Sequence, residues 1–281
     1  MTNSGVSMQV GELVGRGRTS DVYAFGADSV IKMPHDDVAA DWPQFEAALT
    51  QAVHALGVPA PRVLDVVDVD GRDAVVFERV DGPSMWQQML DGPAHAPALA
   101  RELASIQKSL FAVGIPPGLP ELVDRLSRKI QIASGLTTGD RAEAIQRTED
   151  LPRGAALLHG DLHPGNVLMG ANGPIVIDWF DATIGHPVAD VVRSSILLHA
   201  APLEEPRHLP GASAELLRTI RHAYLDVFRP ELAMAKNDLA SWQAVLAAAR
   251  LAEDAEVHQD GLIALWQARD DAAAATELLL V

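Results

Sequence analysis

Two aspartates, an asparagine and two histidines fall within twenty residues of this chain: His159-Gly160-Asp161-Leu162-His163-Pro164-Gly165-Asn166, followed at Asp178 by a second carboxylate. Between them, Val167-Leu168-Met169 and Ile175-Val176-Ile177 flank Gly170-Ala171-Asn172-Gly173. Apolar runs on either side of a Gly/Asn turn predict a β-hairpin. The strands of a hairpin lie side by side, so the loop entering the first strand and the exit of the second are neighbours. Asp161, Asn166 and Asp178 are thereby expected to converge. Two carboxylates and an amide supply hard oxygen donors of the kind that bind magnesium and orient a hydroxyl.

Composition narrows that chemistry. The chain has no cysteine, which removes disulfides, thiolate zinc sites and cysteine nucleophiles and leaves oxygen or imidazole as metal ligands. Its formal charge of −16 argues against nucleic acid or an anionic membrane as partner and makes a cationic one easier to accommodate. The longest apolar runs, such as 195–201, are too short to cross a bilayer. The opening MTNSGVSMQV lacks the pattern of a secretory signal, so a cytoplasmic location is expected. Only four of the 22 basic residues are lysine (Lys32, Lys108, Lys129, Lys236), which makes each one worth locating.

The elements that must position these groups change character along the chain. Up to residue 80, short valine-rich or aromatic segments (VSMQVGELVG, SDVYAF, DSVIKM, RVLDVVDV, DAVVFER) alternate with Gly or Asp turns, the pattern of an antiparallel sheet. One helix interrupts them. Asp41 is placed to cap it and Pro43 fits its first turn. Phe45, Leu49, Ala52 and Leu56 share a face, and Gly57 ends it. After Asp81-Gly82-Pro83 the apolar period lengthens to that of helices, beginning with Leu99, Leu103, Ile106 and Leu110. Further helices are expected over 119–133, 141–149, 187–199, 214–228, 237–256 and 261–279. The expected architecture is α+β, with an antiparallel-sheet lobe over 1–82 and a mainly helical lobe over 83–281.

LLHGDLHPGNVLMGANGPIVIDW resembles the catalytic loop and metal-binding Asp of the aminoglycoside phosphotransferase and choline kinase group, relatives of the protein kinases with a two-lobed fold. The resemblance extends over nearly the whole chain. Gly15-Arg16-Gly17-Arg18-Thr19-Ser20 stands where a kinase glycine-rich loop belongs, with Ser20 in place of the third glycine. Lys32 is similar to the third-strand lysine that contacts nucleotide phosphates, and Glu46 is its expected partner. The resemblance implies that Asp161 meets the acceptor hydroxyl, that Asn166 and Asp178 hold magnesium, and that Gly15, Gly17 and Ser20 cover the phosphates of ATP or GTP. It further implies that the segment Phe77-Glu78-Arg79-Val80 binds the base, and that His159 and Asp190 brace the loop.

A protein-kinase reading would need a long activation segment, whereas only Trp179 to His186 separates Asp178 from Pro187. Asp-Phe-Gly is replaced by Asp178-Trp179-Phe180, and no Ala-Pro-Glu follows. A small-molecule acceptor is therefore favoured. Between Arg250 and Glu277 there are seven acidic residues and two basic ones. In the resembled family a carboxylate-lined cleft receives a cationic antibiotic, either an aminoglycoside or a cyclic peptide of the capreomycin and viomycin type. Glu253, Asp254 and Asp260 are the corresponding acceptor-binding candidates. A metabolic kinase for choline, an amino sugar, homoserine or a thiosugar, and a noncatalytic nucleotide-binding module, are the competing readings.

Overall fold

The computed structural model describes residues 10–36, 38–199, 211, 213–253, 259–271 and 273. The chain divides into two compact units. One comprises the described residues up to Gly82 together with Leu168–Phe180, and the other holds Pro83–Val167 and the described residues from Asp181 onward.

In the first unit, β1 (Leu13–Arg16), β2 (Ser20–Ala24), β3 (Ser29–Pro34), β4 (Val63–Val69) and β5 (Arg72–Glu78) form an antiparallel sheet in the order β1-β2-β3-β5-β4. Helix α1 (Trp42–Ala55) packs on β4 and β5. Alternation along β3 decides what faces the helix. Ile31 enters a core with Phe25, Ala74 and Val76, while its neighbour Lys32 pairs in register with Val75, whose side chain packs with Ala47 of α1. Lysine and helix thus share a face of the sheet.

Helix α1 differs in detail from its expected pattern. Asp41 precedes it, but its side chain makes no capping hydrogen bond. The buried face runs through Trp42, Glu46, Leu49, Thr50 and Val53, whereas Leu56 is exposed. The sheet buries a stripe that includes an acidic residue, and apolar periodicity cannot register that.

The second unit contains α2 (Met85–Asp91), α3 (Ala96–Leu110), α4 (Leu122–Ile132), α5 (Thr138–Asp150), β6 (Ala156–Leu158), β9 (Thr183–Gly185), α6 (Pro187–Leu197), α7 (Ala214–Val227), α8 (Arg229–Met234), α9 (Leu239–Arg250) and α10 (Gln259–Gln267). Strands β6 and β9 pair antiparallel. Helix α6 is buried from Val188 through Leu197, as a helix packed on all sides must be. It packs against α9, α7 and β6. The two short helices α2 and α8 and the strands β6 and β9 are too brief to leave a periodic signal.

The expected hairpin forms as β7 (Val167–Gly170) and β8 (Gly173–Val176). From Leu168 onward it belongs to the first unit rather than to the helical one with which the sequence suggested grouping it. The Val176 amide donates to the Pro59 carbonyl (2.6 Å). Gly82 has φ +150°, and a Cβ there would lie 2.1 Å from the Met169 carbonyl oxygen, so only glycine lets these backbones approach.

Candidate active site

In the first unit, Lys32 is buried. Its Nζ donates to Glu46 Oε1 (2.5 Å) and Asp178 Oδ1 (3.0 Å) and lies 4.8 Å from the centroid of the Trp42 ring. Burial alone would lower the lysine pKa, but Asp178 and Glu46 more than reverse that, so its folded value lies above the ordinary one and the ammonium stays charged. Glu46 is 1% exposed. Burial, with Asp178 adding to it and Lys32 opposing, pushes its carboxyl up to about 7.

Asp178 reaches this ammonium from a left-handed backbone conformation (φ +64°), unusual for a non-glycine residue and common where a site stores strain. The following residues hold it. Trp179 is fully buried and donates its Nε1–H to the Val176 carbonyl (2.9 Å). Phe180 packs on Trp42 and Phe45 of α1, with ring centroids 5.2 and 5.8 Å apart. The Asp-Trp-Phe variant therefore anchors the helix that carries Glu46.

The glycine-rich segment is a tight reversal between β1 and β2, closed by the Gly17 amide donating to the Ser20 carbonyl (2.8 Å). A Cβ on Gly17 would sit 2.9 Å from that carbonyl oxygen. Gly15 lies at a bulge opposite Val22, and Ser20 is buried. At the end of β5 the Glu78 and Arg79 amides donate to the Arg62 and Asp28 carbonyls, Phe77 pairs with Val30 and Val63, and the Glu78 carboxylate binds Arg62. Val80 follows, its side chain against Gly170.

In the second unit, the loop leaving β6 is built around Asp190 of α6, which is 2% exposed. Its Oδ1 accepts the Gly160 amide (2.8 Å), and its Oδ2 accepts the His159 amide (3.1 Å) and Gln107 Nε2–H (2.9 Å). Gly160 has φ +78°, and a Cβ there would fall 2.2 Å from the Asp181 carbonyl oxygen. His159 Nδ1 accepts the Asp161 amide, and His163 Nδ1 accepts that of Gly165. Asn166, 8% exposed, donates its Nδ2–H to the Asp161 carbonyl (2.9 Å), and its amide Oδ1 is a hard oxygen acceptor. Burial of His163 lowers its pKa to about 4, so the ring is neutral near pH 7.

The Asp161 carboxylate is held by Arg193, whose Nη2 donates to Oδ1 at 3.0 Å. Burial works to raise its pKa, but Arg193, His163 and Arg250 outweigh that and bring it to about 2. The same Nη2 reaches Glu253 Oε2 (2.5 Å). Glu253 Oε1 accepts from Lys129 (2.6 Å), which also donates to Asp181 Oδ1 (2.9 Å), and Arg125 Nε donates to that same oxygen (3.0 Å). This geometry reassigns Glu253. Its side chain is 9% exposed and its two oxygens bind the buried Arg193 and the partly buried Lys129, so it is not a surplus carboxylate awaiting an acceptor. The same chain of ion pairs lines a small cleft of about 30 Å³ in this unit. Asp260, near the start of α10, is exposed, and Asp254 lies outside the described residues.

Arg193, Asp181 and Gln107 escaped the sequence reading, and Lys129 stood out there only as one of four lysines. A usable signal existed for Arg193, a lone arginine in the otherwise apolar and small-residue run from Val191 to Leu198.

Acid should unmake this network. Against burial, Arg193 and Lys129 depress the Glu253 carboxyl to about 2, below the ordinary 4.5, so its contribution is complete above the ordinary value and lost as pH falls from there towards 2. Glu253→Gln, which strips one partner from buried ion pairs, should cost about 3–5 kcal/mol at neutral pH and flatten the acid limb. Urea titrations of both proteins across that pH range check it. Parallel acid limbs would remove Glu253 as the cause.

With this geometry in place, residues 10–208 match the family model described as the phosphotransferase enzyme family, APH. The chain belongs to that family. Its fold is that of the kinase-like aminoglycoside phosphotransferases. The apo form of a thermostable mutant of the aminoglycoside phosphotransferase APH(4)-Ia is similar at 18% identity over 95% of this chain and 94% of that one, with a TM-score of 0.64. A choline/ethanolamine kinase family protein from Mesorhizobium loti is similar at 19% identity over 98% and 92%, with a TM-score of 0.60. The GDP and kanamycin complex of APH(2")-IIIa is similar at 19% identity over 96% and 95%, with a TM-score of 0.57. APH(4)-Ia has also been solved with ADP and hygromycin B. No curated protein matches. Among the described residues, no helix is long and apolar enough to cross a membrane.

Proposed function

We propose that this phosphotransferase is a small-molecule kinase that moves the γ-phosphoryl group of ATP or GTP, with magnesium, to a hydroxyl of a cationic antibiotic of the aminoglycoside or capreomycin/viomycin type, thereby conferring resistance. The observation that carries the reading is Asp161: an ionised carboxylate in a loop whose amides are fixed by Asp190, with Asn166 bonded to its own carbonyl.

A loose phosphoryl-transfer transition state asks for positioning and charge neutralisation rather than a strong base. A carboxylate at about 2 suits that role. Its part is to accept the acceptor hydroxyl's hydrogen bond, aim the oxygen, and take the proton late, once the new bond to phosphorus makes that oxygen acidic. Lys32, steadied by Glu46, would neutralise the α- and β-phosphates, and amides near Gly15, Gly17 and Ser20 would cover them. The Phe77–Val80 segment would meet the base.

Asn166 directly precedes β7, and Asp178 follows β8 after one residue. The Asn166 Oδ1 and the 42%-exposed carboxylate of Asp178 are hard oxygen donors of the kind that suit magnesium, which takes few protein ligands and fills its remaining positions with water and phosphate. Bound there, magnesium would neutralise charge on the donor phosphates.

The net charge of −16 supports the cationic acceptor, as does the likeness to enzymes solved with hygromycin B or kanamycin. Of the carboxylates named for it, Asp260 is exposed, whereas Glu253 is committed to Arg193 and Lys129. Charge attraction in an exposed cleft is screened over about 8 Å at physiological ionic strength. Raising salt should therefore increase the acceptor KM more than the nucleotide KM.

The test is turnover of ATP and GTP in magnesium against hygromycin B, kanamycin, capreomycin and viomycin, with an expressing bacterium challenged by the same drugs. Transfer to choline or an amino sugar alone, with no protection, would replace the antibiotic reading by the metabolic one, which the similarity to a choline/ethanolamine kinase family protein favours. No transfer to any acceptor would leave a noncatalytic module.

A further inference from the structure

We infer that Arg193, buttressed by Glu253, is the positioning residue for Asp161: it holds Oδ1 so that Oδ2 is the oxygen presented to the acceptor hydroxyl. The inference rests on Asp161 being the group that meets that hydroxyl.

Three contacts converge on this one guanidinium. Its Nε donates to the Gly160 carbonyl (3.1 Å), and its Nη2 donates to Asp161 Oδ1 (3.0 Å) and Glu253 Oε2 (2.5 Å). The first two fix the backbone before Asp161 and one oxygen of its carboxylate together, which a planar fork can do and a point charge cannot. The other oxygen, Oδ2, has His163 Nε2 at 4.0 Å, beyond hydrogen-bonding reach. A carboxylate with both oxygens unconstrained would spin about its Cβ–Cγ bond, whereas one pinned at Oδ1 presents Oδ2 in a single direction.

Glu253 is what keeps the fork in place. It lies just past α9 and joins Arg193 of α6 to Lys129 of α4. Arg193 and Glu253 side chains are 7% and 9% exposed, so neither readily exchanges its partner for water. Lys129 continues the chain of ion pairs to Asp181, which Arg125 also binds. An arginine three residues after Asp190 on α6 therefore aims the side chain of Asp161, while Asp190 fixes the amides on the N-terminal side of it. The two tasks are separable.

The variants are Arg193→Lys, Arg193→Gln and the double variant Arg193→Gln/Glu253→Gln. The double variant removes both members of the buried Arg193–Glu253 pair, so neither strands the other, Lys129 keeps Asp181, and a thermal melt checks that the protein is folded. Crystal structures of Arg193→Gln and the double variant should show the Asp161 carboxylate turned from its present rotamer, with the Asp190 bonds to His159 and Gly160 unchanged. An unmoved carboxylate overturns the inference. With the acceptor that the wild type phosphorylates, kcat should fall on the order of 10²-fold for Arg193→Gln and the double variant, the scale of a misplaced reacting group, while both KM values stay within about threefold. Arg193→Lys should recover part of that loss. Wild-type kcat in a folded double variant also overturns the inference, as does a loss seen in KM instead. Asp161→Asn runs beside them. If it transfers phosphate as the wild type does, the proposed function fails, and the carboxylate rotamer still decides what Arg193 does.

Discussion

Asp161→Asn should lower kcat by about 10²–10⁴ while leaving nucleotide affinity and folding close to wild type. Asparagine keeps the shape of the side chain and an oxygen that can still accept from Arg193 Nη2, so the loop held by Asp190 has no reason to move. What disappears is the negative charge and the late proton acceptor. An amide facing the acceptor with its nitrogen would also donate where a hydroxyl needs an acceptor. Steady-state kinetics with nucleotide titration and a thermal melt check all three parts. Turnover within tenfold of wild type would move the catalytic assignment off Asp161, and a large loss of nucleotide affinity would mean that the residue serves the donor instead.

Asp178→Ala should abolish the magnesium dependence of nucleotide binding. The carboxylate is proposed to hold the ion, and it is also one of two that share the Lys32 ammonium, so its removal leaves Lys32 with Glu46 alone. Calorimetric titration of ATP with and without magnesium should give two distinct affinities for the wild type and one for the variant. An undiminished magnesium effect would remove Asp178 from the ion. Asp190→Ala supplies the contrast. It would remove the shared acceptor of the His159 and Gly160 amides, at about 1–3 kcal/mol for each group left without a replacement, and should therefore appear mainly as lost stability.

The groups placed near one another by local sequence were legible without a structure. His159 to Asn166 is a single loop, and its internal bonds from the Asp161 amide to His159 and from Asn166 to the Asp161 carbonyl span only a few residues. The Gly-rich hairpin turn fixed β7 and β8, and the valine-rich segments fixed the sheet. Boundaries were less legible. Asp41 reads as a cap and makes no capping bond, and the buried stripe of α1 is displaced from the apolar one because Glu46 is inside it. Asp254 and the last expected helical residues lie outside the described ones.

Charge was the property most easily misread. Seven acidic residues against two basic ones near the C-terminus suggested a surplus of carboxylates, and for Glu253 the surplus vanishes once partners distant in sequence are present. Lys129 is 124 residues away from it and Arg193 is 60. Composition counts charges, but only packing decides which are paired.

By itself, then, the sequence determined the family-type loop, the antiparallel sheet followed by helices, the absence of thiol chemistry, and the residues Lys32, Glu46, Asp161, Asn166, Asp178 and Asp190 as the ones worth placing. Their reach is local or carried by strong periodic patterns, which are properties of short stretches of chain. Tertiary structure alone decided that Phe180 anchors α1, that the hairpin joins the sheet unit, and that Arg193 and Glu253 stand behind Asp161. Those contacts join segments far apart in the chain, and a buried ion pair is specified by the meeting of two helices rather than by the residues on either one.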